Sequence, residues 1–135
     1  MTQINVGYHK KFLKEKRKLS RKCRSIEGDF EDFKKALMVD IKYNNYTVPT
    51  DTEKYFRISG LDKSITLPAF VAKVFYCEKM NRGSHSGFRI TFIYDPTENY
   101  IYFVQFYFKS KDEIEDKERI NKLFKKNKKK NSIIL

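Results

Sequence analysis

The sequence predicts an α+β domain in which an N-terminal helical hairpin packs on a small twisted antiparallel β-sheet and a C-terminal helix follows. Two periodicities support this prediction. Apolar residues recur at three- and four-residue steps over residues 8–38, as on one side of a helix. Residues 70–108 instead contain segments with the period of two that is typical of β-strands. We expect residues 1–126 to form this one domain and residues 127–135 to form a basic flexible tail.

The helical hairpin is predicted from two stretches that meet at a short break. The first helix is expected over residues 8–23, with four residues near its inner side: Phe12, Leu13, Leu19 and Cys23. Ser25 belongs to the residue types that cap helix N-termini, so a second helix should run from there to about residue 38. A short edge strand over residues 3–7 is expected before the hairpin.

Three consecutive strands are expected in the second half of the chain, over residues 70–77, 88–94 and 100–108. A loop with two glycines, residues 81–87, joins the first two, and the turn-forming residues 95–99 join the last two. The preceding residues 40–67 are rich in turn formers and should hold one short strand near residues 54–58. The final helix is predicted over residues 112–126, because its acidic start and lysine-rich end suit the helix dipole.

The basic residues of these strands share one parity, and successive strand side chains point to opposite faces. One face should therefore be nearly all apolar, with the residues Phe88, Ile90, Phe92, Tyr100, Tyr102, Val104, Phe106 and Phe108. The opposite face should be open and should gather Lys73, Arg89, Thr91, Gln105, Tyr107 and Lys109. A cationic, hydrogen-bonding sheet face suggests a phosphate ligand.

The net charge of +12 is concentrated at the two ends of the chain. Residues 1–25 hold nine Lys and Arg against one Glu, a net charge of +8, and residues 122–135 hold six Lys and no acid. This distribution favours a nucleic acid, an acidic protein partner or an anionic membrane surface as the partner. No apolar run approaches the length of a membrane span.

The two cysteines, Cys23 and Cys77, are expected to be free buried thiols of a cytoplasmic protein. The N-terminus also lacks the apolar core of a secretory signal. We expect no metal site, because the two Cys and two His are widely scattered, and no cofactor.

Two blocks of the sequence resemble the RelE/ParE superfamily of toxins from toxin–antitoxin systems. One is Cys77-Glu-Lys-Met-Asn-Arg-Gly-Ser-His-Ser-Gly-Phe-Arg-Ile90, similar to the family's strand–loop–strand joint. The other is Phe106-Tyr-Phe-Lys-Ser-Lys-Asp-Glu-Ile-Glu-Asp-Lys-Glu-Arg-Ile120, similar to its Tyr-x-Lys ending with an acidic helix. The resemblance implies that residues 1–126 form a RelE-like domain. RelE-like members cut mRNA on the ribosome, ParE-like members poison DNA gyrase, and an antitoxin encoded beside each toxin inhibits it.

Metal-free RNA cleavage needs few groups, since the ribose 2′-OH attacks the adjacent phosphate to give a cyclic phosphate and a free 5′-OH. A base and an acid move the protons, and fixed cations stabilise the charge of the phosphorane. The sequence shows no carboxylate cluster and no set of His and Cys ligands, which agrees with this scheme.

The resemblance assigns roles to the residues that match its motifs. Arg89 would hold the phosphate bidentately, Lys73 would bind phosphate or transfer a proton, and Lys109 is the lysine of the Tyr-x-Lys ending. Tyr107 would stack on a base or donate a proton, and His85 would serve in acid–base chemistry near neutral pH. Further RNA contacts are expected from Lys79, Arg82 and Lys111. The alternative for each residue is a solvated or core-packing role.

The first hypothesis is thus a toxin that acts as a ribosome-dependent, metal-independent mRNA endonuclease and inhibits translation. Its partners would be the ribosome, mRNA and a cognate antitoxin, not a membrane. The alternatives are a ParE-like gyrase inhibitor, or an RNA-binding homologue that does not cleave. ParE-like members usually lack the pair of Lys73 and Arg89, which favours the first. Residues 112–120 contain neither the tyrosine nor the histidine that some active members use, so catalytic competence stays open, as does the oligomeric state.

Overall fold

The computed structural model describes residues 3–80, 87–109 and 114–125, and the predicted tail lies outside them. In chain order the elements are strand β1 (Asn5–Tyr8), helices α1 (Lys10–Leu19) and α2 (Ile26–Lys42), strands β2 (Tyr55–Arg57) and β3 (Ala69–Ala72), a short 3-10 helix (Glu78–Met80), strands β4 (Phe88–Asp95) and β5 (Tyr100–Phe108), and helix α3 (Lys117–Lys125). The chain is therefore an α+β protein, as the two periodicities predicted.

The five strands form one mixed sheet with the order β1-β5-β4-β3-β2. β2 to β5 pair antiparallel, whereas β1 pairs parallel with β5, from Asn5 beside Tyr100 to Tyr8 beside Phe103. The predicted antiparallel sheet is thus wrong at this edge. β1 is followed directly by α1 and not by a hairpin turn. Parallel strands require a long connection between them, and here the chain from α1 to β4 connects β1 to β5. The two short strands predicted near the start and the middle of the chain are confirmed as β1 and β2.

α1 and α2 cover one face of the sheet, which we call the hairpin face. Its core is aromatic: the ring centroid of Phe12 lies 5.5 Å from those of Phe103 and Phe106, and that of Phe30 lies 5.1 Å from Phe103. All four side chains are buried, which for a phenylalanine stabilises the fold by roughly 1.5–3 kcal/mol each. Leu13, predicted on the inner side of the first helix, is instead 39% exposed.

α3 and residues 58–67 cover the opposite face, which we call the α3 face. Its buried cluster consists of Ile58, Ala69, Val71, Ile93, Tyr102, Val104, Ile120 and Phe124. The prediction that this face is open was wrong, because α3 and residues 58–67 also carry apolar side chains that require burial. Leu61, Ile65, Leu67 and Leu123 pack against the same cluster.

A β-bulge in β5 explains why the predicted alternation fails. Thr91 pairs with Gln105, but the next residue of β4, Phe92, pairs with Phe103, so that Val104 is an extra residue in β5. Side chains that were expected on a single face are therefore divided. Phe106 and Phe108 pack in the core of the hairpin face, and Tyr100, Tyr102 and Val104 pack in that of the α3 face.

A largely buried ion pair joins α1, β5 and α3. Arg119 of α3, whose side chain is only 10% exposed, donates two hydrogen bonds to the carboxylate of Glu15 in α1, at 3.0 and 2.7 Å. Its Nη1 also donates to the carbonyl of Val104 at 2.7 Å, and Glu15 accepts a hydrogen bond from the backbone N–H of Phe106 at 3.1 Å. These bonds fix where α1 lies on the edge of the sheet.

The helix boundaries differ from the predicted ones. α1 ends at Leu19, α2 continues to Lys42, and α3 begins only at Lys117. Ser25 does occupy the N-cap position of α2, but its side chain makes no capping hydrogen bond. The hydroxyl of Ser25 instead donates to the carboxylate of Asp29 at 2.6 Å, because that carboxylate lies within the same turn.

Cys23 and Cys77, which are 54 residues apart, form a disulfide. The prediction of free thiols was wrong, because the fold brings the connection between α1 and α2 against the segment that follows β3. Asp29 strengthens this junction, since its Oδ2 also accepts a hydrogen bond from the backbone N–H of Glu78 at 3.0 Å. The backbone N–H of Lys79 in turn donates to the hydroxyl of Ser25 at 3.1 Å.

The disulfide also bears on the location of the protein. Disulfides persist mainly in oxidising compartments. The argument from free cysteines for a cytoplasmic location therefore no longer holds, and that location stays a prediction. Within the described ranges, no helix is both long and apolar enough to cross a bilayer.

Replacing both cysteines by serine should lower the free energy of unfolding, because the open chain gains conformational entropy when it unfolds. For a loop of about this size the chain-entropy relation gives roughly 4 kcal/mol at 25 °C. Urea unfolding of the Cys23→Ser, Cys77→Ser double variant, followed by circular dichroism, measures the change. Reduction of the wild-type protein should give a similar loss. Equal unfolding midpoints for the oxidised protein and the double variant would contradict this role of the disulfide.

Candidate nucleic-acid interface

Three neighbouring strands bring four of the predicted site residues to one end of the sheet. Arg89 in β4 pairs with Tyr107 in β5. Lys73 directly follows Ala72, the last residue of β3, which pairs with Ile90 next to Arg89. Lys109 lies at the same end, because its backbone N–H donates to the carbonyl of Gly87 at 2.7 Å. We call Lys73, Arg89 and Lys109 the sheet-end cluster.

The sheet-end cluster carries positive charges that no acid neutralises within the described ranges, where no carboxylate forms an ion pair with any of its members. Arg89 is partly exposed, and its Nη1 donates to the carbonyl of Phe88 at 3.0 Å. The ammonium group of Lys73 lies 4.3 Å from the ring centroid of Phe56, and Lys109 is exposed. Three cations in this arrangement suit a phosphate group.

The three uncharged polar residues predicted for the same face have structural partners instead. Tyr107 is buried, and its hydroxyl donates to Glu115 at 3.3 Å. Gln105 is also buried and holds the segment before α3, since its Oε1 accepts from the backbone N–H of Asp116 at 2.6 Å. Thr91 is fully buried and donates to that same oxygen at 3.3 Å. These residues therefore anchor the α3 layer and do not face a ligand.

The remaining predicted site residues come shortly before β4 or shortly after β5 in the sequence. His85, Arg82 and Lys111 lie outside the described residues. Lys79, in the short 3-10 helix, is exposed, and its backbone is held by Ser25. The ammonium group of Lys79 is thus open to a ligand, on a segment that the disulfide fixes to the hairpin.

A second group of cations lies along the exposed side of α1 and the turn after it. Lys14, Arg17, Lys18 and Arg21 line a shallow groove of about 360 Å³ and are exposed. We call these four residues the basic strip. The prediction noted the basic N-terminus but not this geometry. The signal was present in the spacing, since steps of three and four residues place side chains on one side of a helix.

The basic strip and the sheet-end cluster meet around the end of β5. The ammonium group of Lys22, next to Arg21, lies 4.0 Å from the ring centroid of Phe108, which precedes Lys109. Gly87 makes room for this ring, because a Cβ there would lie 2.9 Å from Phe108 and its φ is +103°. We refer to the strip and the cluster together as the basic surface.

His9 has a structural role at the start of α1. Its Nδ1 accepts a hydrogen bond from the backbone N–H of Lys11 at 3.0 Å and so caps the helix. Burial lowers the pKa of His9 below its usual 6.5, and the positive charges of Arg119, Lys11 and Lys10 lower it further, while Glu15 opposes them. The neutral imidazole is therefore the form that fits this site.

No protein-family model, no curated protein and no solved structure matches this chain. The resemblance to the RelE/ParE superfamily accordingly stays a prediction from the two sequence blocks.

Acid should destabilise the protein through His9. The lowered pKa of His9 means that the unfolded chain binds its proton more readily, so stability is lost as the pH falls through 6.5 towards the folded value. Protonation also turns the capping acceptor into a donor. The His9→Asn variant keeps a capping side chain that does not titrate. Urea unfolding at about pH 7.5 and about pH 5.5 should show a smaller loss in the variant, and equal losses would contradict the assignment.

Proposed function

We propose that this protein is a RelE-like toxin that binds mRNA on the ribosome and cleaves it without a metal. The observation that supports this best is the sheet-end cluster. Lys73, Arg89 and Lys109 come from the ends of three neighbouring strands and have no carboxylate partner in the described part of the chain. Cations held on a rigid sheet are what a developing phosphorane requires.

In this proposal Arg89 holds the scissile phosphate. Its guanidinium group can donate two parallel hydrogen bonds to the non-bridging oxygens, while Lys73 and Lys109 act as point charges. The 2′-oxygen attacks phosphorus, the bond to the 5′-oxygen breaks, and the products are a 2′,3′-cyclic phosphate and a 5′-hydroxyl. The sheet-end cluster stabilises the extra negative charge of the pentacoordinate state more than that of the ground state.

Proton transfer is the step for which this chain has the fewest suitable side chains among the described residues. Tyr107 is buried and donates to Glu115, so it does not reach a leaving group. His9 caps α1. We assign the proton for the leaving 5′-oxygen to Lys73, which resembles the proton-transfer position of the family. The proton of the 2′-hydroxyl passes to a water molecule. The ribosome contributes by holding the 2′-hydroxyl in line, since correct orientation alone can contribute several kcal/mol.

In this proposal the basic strip extends the RNA-binding interface along α1. Four cations on one side of α1 can contact successive phosphates of ribosomal RNA and release counterions, which strengthens binding without selecting a sequence. A cytoplasmic location would give access to ribosomes and mRNA. An acidic segment of the antitoxin would inhibit by covering the same surface.

A non-catalytic RNA-binding role is the second candidate, and the engagement of Tyr107 favours it, because a proton donor of the predicted site is occupied. A ParE-like gyrase inhibitor is the third candidate, and it would have no need of the sheet-end cluster.

Loss of Lys73 or Arg89 from the sheet-end cluster should slow cleavage and leave the fold intact, because both side chains lie on the protein surface. Arg89→Ala and Lys73→Ala should each cost about 2–4 kcal/mol of transition-state stabilisation, roughly a 30- to 1,000-fold slower reaction. The matched control is Lys42→Ala, which removes an exposed charge at the end of α2. The measurement is mapping of mRNA cuts on translating ribosomes.

Undiminished cleavage by a folded Lys73→Ala, Arg89→Ala double variant would refute the site. Ribosome binding without any cleavage by the wild-type protein would favour the second candidate. Gyrase-dependent DNA breaks with intact mRNA would favour the third.

The basic strip should control the salt dependence of binding. Replacing Arg17 and Lys18 by Gln should reduce the slope of log K against log salt by about 1.4–1.8, from two lost phosphate contacts. The control is a variant with Lys35 and Lys42 of α2 changed to Gln, which has the same net charge. Co-sedimentation with ribosomes over a salt series measures the slope. The cut positions should not change, and equal slopes for the two variants would show that the strip does not contact RNA.

A further inference from the structure

Three potential metal ligands meet beneath the helical hairpin. They are the sulfur atoms of Cys23 and Cys77 and a carboxylate oxygen of Asp29, and they all lie within 4.8 Å of one another. Both cysteines are fully buried and Asp29 is 8% exposed. The sequence argued against a metal because the two Cys and two His are scattered along the chain, but the fold brings the two Cys together beside Asp29.

One of the three separations between these atoms is close to that in a tetrahedral metal site. Zinc binds thiolate sulfur at ~2.3 Å and carboxylate oxygen at ~2.0 Å, so neighbouring sulfur and oxygen ligands lie ~3.5 Å apart. Oδ2 of Asp29 lies 3.6 Å from Sγ of Cys23. The two sulfur atoms have to move from bonding distance to ~3.8 Å apart. Two thiolates and a carboxylate suit Zn²⁺ and Co²⁺.

The carboxylate of Asp29 is oriented before any metal arrives. Its Oδ2 accepts hydrogen bonds from the hydroxyl of Ser25 at 2.6 Å and from the backbone N–H of Glu78 at 3.0 Å. The 2.6 Å separation is too short for both oxygens to be ligands, which would lie ~3.3 Å apart. Ser25 therefore supports the ligand from outside, as such partners do at metal sites, and the fourth position is left to solvent.

An acidic groove provides a route for a cation. It has a volume of about 220 Å³, and its lining includes Asp29, Asp32 and Asp40, while Lys54 is the one basic residue among the described residues that line it. Three carboxylates against one ammonium group make this groove locally negative on a protein whose net charge is +12. A divalent cation would be attracted here and would reach Asp29 from the groove.

We propose that this chain, once its disulfide is reduced, binds one divalent cation such as Zn²⁺ through Cys23, Asp29 and Cys77. A thiol or phosphine reductant supplies two electrons, the bond between the sulfur atoms breaks, and two thiols form. The metal then displaces the two thiol protons and forms two sulfur–metal bonds. The disulfide and the metal exclude each other, so the redox state of the surroundings selects which of them closes the junction. This proposal does not depend on the function of the basic surface.

The test uses the full-length chain reduced by a water-soluble phosphine, which takes up one oxygen atom from water as it is oxidised. Titration with Co²⁺ under anaerobic conditions should produce thiolate-to-cobalt charge-transfer absorption that saturates at one Co²⁺ per chain and disappears when Zn²⁺ is added. The oxidised chain should show no such absorption. Absence of the absorption from the reduced chain would overturn the proposal.

Two aspartates provide a matched pair of variants. Asp29→Asn keeps an oxygen acceptor for Ser25 but removes the charged ligand, and it should weaken Co²⁺ binding by about tenfold or more. Asp32→Asn removes the same charge from the groove lining and should weaken binding far less. Equal affinities of the two variants would exclude Asp29 as a ligand.

Cys77→Ser provides a further test, since loss of one thiolate should abolish the charge-transfer absorption. Far-UV circular dichroism shows whether each reduced protein is folded. If the reduced wild-type chain unfolds, Zn²⁺ should restore its helical signal, and failure to restore it would also overturn the proposal.

Discussion

The edge of β5 beyond the end of β1 is the constraint on which the arrangement of the layers depends. β1 covers β5 only as far as Phe103, so the following backbone groups would be left without partners inside the protein. The carboxylate of Glu15 and the guanidinium group of Arg119 satisfy them, and each neutralises the other. A buried charge without its partner is costly. This pair therefore fixes α1 on one side of the sheet and α3 on the other.

The positions of both helices determine which cations remain available. α3 and residues 58–67 bury most of the α3 face, and they leave exposed cations at the end where Lys73 and Arg89 lie. The bulge at Val104 contributes, because it turns Tyr102 towards α3 and Phe106 towards the hairpin. The basic surface is thus what remains accessible after two hydrophobic cores have been covered.

The sequence predicted the burial and orientation of side chains correctly in segments where one periodicity dominated. The spacing of Phe12 predicted a buried helix position, and the parity of Arg89 placed it correctly on the face opposite to Phe88 and Ile90. The bulge was not predictable, because residues 100–108 are apolar on both parities and no pattern marks the extra residue. The parallel pairing of β1, the burial of Tyr107 by the α3 layer and the disulfide all depend on contacts between distant parts of the chain, which local pattern does not encode.

The disulfide junction and the basic surface are linked through a short stretch of chain. Lys73 of the sheet-end cluster lies four residues before Cys77, and the next residue, Glu78, is held by Asp29. Whatever closes the junction, a disulfide or a metal, therefore fixes one end of the segment that begins at Lys73. Because cations that stabilise a phosphorane must be held in place before the reaction, a closed junction would favour the proposed activity in either redox state. An open junction would leave that segment held at its start, where the backbone N–H of Lys73 donates to the carbonyl of Lys54 at 3.0 Å.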